Sequence, residues 1–137
     1  MPNLAAYFEH AGWPAEEIEP GVWRSTFADE AGTTYNLYVL AAEEWIHLAV
    51  SPLLRVDWAA EGGEHPAHRL PLTLLRWNQE LRLARLALDE DGDINRLADL
   101  PAAHAGPSLF AETLQLLAYY TDHLAAELRG QAGDLQE

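Results

Sequence analysis

Cysteine and lysine are both missing from this 137-residue chain, and all eight basic residues are arginine. Without cysteine there are no disulfides, no thiolate zinc sites and no thiol nucleophile. Without lysine there is no phosphate-loop lysine and no Schiff base. No apolar run approaches the roughly 18 residues that a membrane-spanning helix needs. The opening "MPNLAAYFEHAGW" has no basic leader followed by an apolar stretch, so no signal peptide is expected and the cytoplasm is the expected compartment. Positive charge is scarce: the net charge is -14 and the pI about 4.6, which argues against nucleic acid or an anionic membrane as a direct partner.

What is present is a globular composition, 49% hydrophobic with five tryptophans. The length suits one domain burying about two thirds of its unfolded surface, expected over 1–130, with 131–137 as a flexible tail. Asn3 can cap a short helix whose stripe is Leu4, Tyr7, Phe8 and Ala11, ended by Gly12 and Pro14. "GVWRSTFA" (21–28), "TYNLYVLA" (34–41) and "EWIHLAVSPLL" (44–54) read as three strands of an antiparallel meander. Residues 57–69 read as a long loop, and helical pattern resumes at Pro71. From there the residues leave two parses open. Either 72–88 is one helix, or the helix ends near Glu80 and 82–89 is a strand paired with 93–99. Ser108 can cap a last helix carrying Phe110, Thr113, Leu114, Leu117, Tyr120, Leu124 and Leu128, with Gly130 as its stop.

Chemistry is hard to find. "ALDEDGDINRLADL" (87–100) holds four acids around Gly92, but no register supplies calcium-loop ligands at the required positions, and "DGD" reads as a hairpin turn. "HPAH" (65–68), with Glu61 and Glu64 nearby, is the one cluster resembling a metal site. Pro66 and the Gly62–Gly63 pair make a solvated loop the stronger reading, leaving a metal-dependent enzyme or sensor on His65 and His68 as the alternative. His47 lies inside a strand and His123 on the last helix, neither with a triad partner at recognisable spacing. Ser25, Ser51 and Ser108 lack a nucleophile-elbow context. No cofactor site is expected. Among the tryptophans, Trp58 is the expected exposed one and a candidate protein-binding anchor.

Taken in order, "AGW", "GVWRSTF", "TYNLYVL", "EWIHLAVSPL", "LLRWNQEL", "LALDEDGDI", "LADLP" and "FAETLQLLAYYTDHLAAEL" resemble the YbjN family of bacterial sensory transduction regulators over residues 3–129. That family's fold is similar to type III secretion chaperones. The resemblance implies an α+β domain ordered α-β-β-β-α-β-β-α, with an antiparallel sheet covered by helices and 82–89 as a strand. It also implies a homodimer acting as a chaperone-like adaptor for another polypeptide, with no catalytic residues to transfer.

Leu74, Leu75 and Trp77 diverge by about 100° per residue on a helix, so they cannot all face inward. They are the candidate dimer residues. The acidic surface favours a basic protein, such as a nucleic-acid-binding protein, as partner.

Overall fold

Asn3 opens the first helix as its chemistry suggests. Its side-chain oxygen accepts from the Ala6 amide at 3.1 Å, and Gly12 closes the helix with a left-handed φ of 75°. A computed structural model describes residues 2–56 and 66–134. The elements run α1 (Leu4–Ala11), β1 (Glu16–Glu19), β2 (Val22–Ala28), β3 (Thr34–Ala42), β4 (Trp45–Leu54), α2 (Pro66–Glu80), β5 (Arg85–Leu88), β6 (Ile94–Pro101) and α3 (Pro107–Asp134). The strands form one antiparallel sheet in the order β1-β2-β3-β4-β6-β5. The α+β class and antiparallel sheet match the expectation, and the order of elements differs from it by one added strand.

That strand is β1. Glu16, Glu17 and Glu19 are exposed and have poor strand propensity, so local sequence gives no signal. Register with β2 holds it: Glu16 faces Arg24, and their side chains form an ion pair. A charged edge strand also discourages pairing with other chains.

The second difference lies in α2. It begins at Pro66, not Pro71, and contains Pro71 in its interior. Residues 66–69 therefore belong to helix rather than to the expected 57–69 loop, and Pro66 takes the first position, where a missing N–H costs nothing. The open choice over 72–88 resolves as helix, then strand. Leu83 adopts a left-handed φ of 68°, which breaks the helical path. Beyond it, the Asn78 side chain clasps the outer edge of β5, donating to the Leu86 carbonyl at 2.9 Å and accepting from the Leu86 amide at 2.8 Å. Two edge groups that would otherwise face solvent unpaired are thereby satisfied.

The acidic stretch is a turn. Asp89 Oδ1 accepts from the Asp91 and Asp93 amides at 2.9 and 3.0 Å, its Oδ2 accepts from Asn95 at 3.2 Å, and Gly92 supplies φ 82°. The third difference is α3, which starts with Pro107, so Ser108 sits one residue inside. It continues past Gly130 to Asp134.

Alternation along the strands sorts residues onto two faces. Tyr35, Leu37 and Val39 of β3, Ile46, Leu48 and Val50 of β4, and Ile94, Ala98 and Leu100 of β6 are buried with Phe110, Leu114, Leu117 and Leu128 of α3. Phe110 joins α1 to this layer, meeting Phe8 edge-on at 5.1 Å and Tyr7 at 5.5 Å between ring centroids. Phe8 reaches Trp23 at 6.0 Å, and Trp13, Phe27 and Tyr35 continue the aromatic seam. Emptying the Phe110 site would cost about 3–5 kcal/mol.

Candidate interaction surfaces

Helix α2 divides its leucines between two environments. Leu74 is 5% exposed and belongs to the core with Leu70, and Trp77 packs partly buried against them. Leu75 is 67% exposed and Leu72 is 54% exposed, three positions apart on the outward side. Of the three residues singled out on this helix, Leu74 and Trp77 serve the fold and Leu75 faces solvent. Leu72 was legible by the same spacing and was missed, because the helix was expected to be only beginning there. Trp58, Glu61, Glu64 and His65 lie outside the described residues, as does the side chain of His68.

The sheet face opposite the helices is a second surface. Arg24, Tyr38, Ala49, Leu97 and Arg85 lie in one register row across it, and Val22, Leu40, His47 and Asp99 in the next. These residues are half-buried or exposed rather than buried, with Leu40 and Trp45 the exposed large apolar ones. At the centre, His47 Nδ1 lies 2.5 Å from Asp99 Oδ1, and Arg85 Nη1 lies 2.7 Å from Asp99 Oδ2. Partial burial works to raise the Asp99 pKa. The hydrogen bonds from His47 and Arg85 outweigh it and hold the carboxyl below the usual carboxylate range.

A histidine oriented by an aspartate is half of a nucleophile-activating arrangement, and sequence spacing could not show it, since the two are 52 positions apart. Among the described residues no serine or threonine lies in register with it: the register neighbour is Leu40, and Trp45 and Ala49 follow on the same strand face. Among the described residues, no group of three or more His, Asp or Glu is placed to hold a metal ion. The cluster is a charge ladder across three strands.

Beneath α3 the sheet carries Arg96, fully buried, with Nε and Nη1 lacking hydrogen-bond partners among the described residues. Burial pushes its pKa down to about 10, opposed by the Coulombic attraction of Tyr120, whose ring centroid is 5.4 Å from the guanidinium carbon. None of the described helices is long and apolar enough to cross a membrane.

Solved structures that share this architecture include chains from two complexes. A chain in the crystal structure of the ExsC–ExsE complex is 18% identical, covering 91% of this chain and 90% of its own length, with a TM-score of 0.59. The Yersinia pestis type III secretion chaperone SycH, solved in complex with a stable fragment of YscM2, is 15% identical, covering 86% of this chain and 92% of its own, with a TM-score of 0.56. At such identities the likeness is one of fold. A search of curated protein sequences finds no match to this chain. The model of one family, described as "Putative bacterial sensory transduction regulator", matches residues 3–129, nearly the whole sequence with every strand and most of α3. The chain belongs to the YbjN family.

Proposed function

We propose that this protein is a non-catalytic, chaperone-like adaptor that forms a homodimer and holds a segment of another polypeptide. The observation that carries it is the outward pair Leu72 and Leu75 on α2, together with a separate sheet face that the core-forming helices leave open. Each of these leucines, fully buried, would contribute about 1.5–3 kcal/mol. Left in water, they mark a contact surface. The α2 stripe is assigned to the second copy of the chain, and the open sheet face, with Leu40 and Trp45 around the His47–Asp99–Arg85 ladder, to the client.

Supporting the client role, both fold neighbours were crystallised in complex with a partner, ExsE in one case and a YscM2 fragment in the other. A net charge of -14 speeds encounter with a basic client and disfavours anionic ones. The family description fits an adaptor that regulates by sequestering its client in the cytoplasm. Sedimentation equilibrium tests the dimer, and calorimetric titration with a recovered client, before and after substitution of the open face, tests the binding role. A monomer at high concentration, or a client bound equally well by protein carrying Leu40→Glu, would contradict the assignment.

A further inference from the structure

At one end of the sheet the β3–β4 turn, the segment after β6 and the residues before α1 enclose an open concavity of about 750 Å³. That size is within the range of ligand-binding clefts. Trp45 forms one wall and is 45% exposed, an unusual position for a side chain of that apolar area. Pro2 and Pro101 extend the apolar lining, and Glu43, Glu44 and His104 provide its polar groups. No arginine lines it, and neither Glu43 nor Glu44 has an ion-pair partner among the described residues. The pocket is held from two sides. The Glu44 carbonyl accepts from the Ala102 amide at 2.7 Å, and the Tyr7 hydroxyl donates to the Ala105 carbonyl at 3.0 Å.

We infer that this concavity receives an arginine side chain from a basic polypeptide segment. The inference rests on the polypeptide-binding reading and gives it a specific anchor point. An indole face attracts a guanidinium through the ring quadrupole, and a planar cation stacks on it while donating sideways to carboxylates. Glu43 and Glu44, without an ion-pair partner among the described residues, supply those acceptors. A carboxylate or phosphate ligand would meet repulsion here, and a purely apolar ligand would leave the charges without a role. Volume beyond that of one side chain leaves room for the flanking backbone of the segment.

The test uses a capped peptide of glycine and serine around one central arginine, with its citrulline analogue as the uncharged isostere. Both are titrated into the isotopically labelled full chain while the Trp45 indole N–H and Glu44 amide resonances are followed. The arginine peptide should give saturable shifts at both positions, and the citrulline peptide should bind about tenfold more weakly or worse. Trp45→Leu, and separately Glu43→Gln with Glu44→Gln, should remove the response while circular dichroism and melting temperature stay unchanged. Equal shifts with citrulline, shifts absent at Trp45, or an unaltered response in folded variants would overturn the assignment. If a client binds the Trp45→Leu protein with undiminished affinity, the pocket is wrong and the adaptor reading survives. If the arginine peptide binds as described and no client binds anywhere, the adaptor reading fails instead.

Discussion

The guanidinium of Arg96 lies 5.4 Å from the centroid of the Tyr120 ring, fully buried, with no carboxylate paired to it among the described residues. A buried cation set against a ring in place of a carboxylate is a net cost to folding. Replacing Arg96 with methionine should therefore stabilise the protein, by about 1–3 kcal/mol. Tyr120→Ala should destabilise it by about 1–2 kcal/mol, because the cation loses the ring face it is set against. Urea denaturation of both variants checks the pair; a destabilised Arg96→Met protein would mean that the guanidinium is satisfied by a group other than Tyr120.

Asp99→Asn should cost about 0.5–1 kcal/mol at neutral pH, the modest value expected where Arg85 and His47 are about half exposed. The folded-state pKa of Asp99 is depressed, so its contribution is present above its unfolded value, near 4, and is lost as pH falls through the folded value. The gap between wild type and variant should thus be full at pH 6–7 and close in acid below about pH 4. A gap that persists unchanged at pH 2 would show that the ladder is not what Asp99 contributes.

On α2, Leu74 and Leu75 should separate folding from association. Leu74→Ala should lower stability by about 2–5 kcal/mol, since it empties a core site. Leu75→Asp should leave the fold intact and shift sedimentation toward monomer, because the residue is 67% exposed. The opposite pattern, with Leu75→Asp unfolding the chain, would contradict the geometry of the helix.

Asp89→Ala should destabilise the β5–β6 hairpin by about 1–3 kcal/mol, because the Asp91 and Asp93 amides and the Asn95 side chain lose their acceptor. Millimolar calcium should leave the wild-type melting temperature unchanged, since both Asp89 oxygens are engaged in the turn. A rise of several degrees would instead identify a calcium site.

Much of this fold is written in local pattern. Asn3 and Gly12 bracket α1, the alternation of Tyr35, Leu37 and Val39 marks β3, and Asp89 with Gly92 marks the hairpin turn. What pattern could not show depends on distant partners. Glu16–Glu19 becomes a strand only because β2 is beside it, and the start of α2 was hidden by assigning Pro71 the role that Pro66 takes. Nor could composition decide between helix and strand over 82–88, where leucine, alanine and arginine suit both; the left-handed Leu83 and the Asn78 clasp on Leu86 decide it. The candidate surfaces were half legible. Leu75 was named among three leucine and tryptophan candidates on α2, while Trp45 was not singled out and His47 read as a histidine without a partner, because Pro101 and Asp99 reach them only through the β4–β6 register.

The central claim is that this chain works by holding another polypeptide on its open sheet face. Its most direct test is quantitative affinity capture from the native host, comparing the wild-type protein with a folded variant carrying Leu40→Glu and Trp45→Ala. The account predicts one or a few basic proteins recovered near stoichiometric amounts with wild type and depleted about tenfold or more with the variant, then bound directly when purified. Equal recovery by both, or no stoichiometric partner at all, would contradict it.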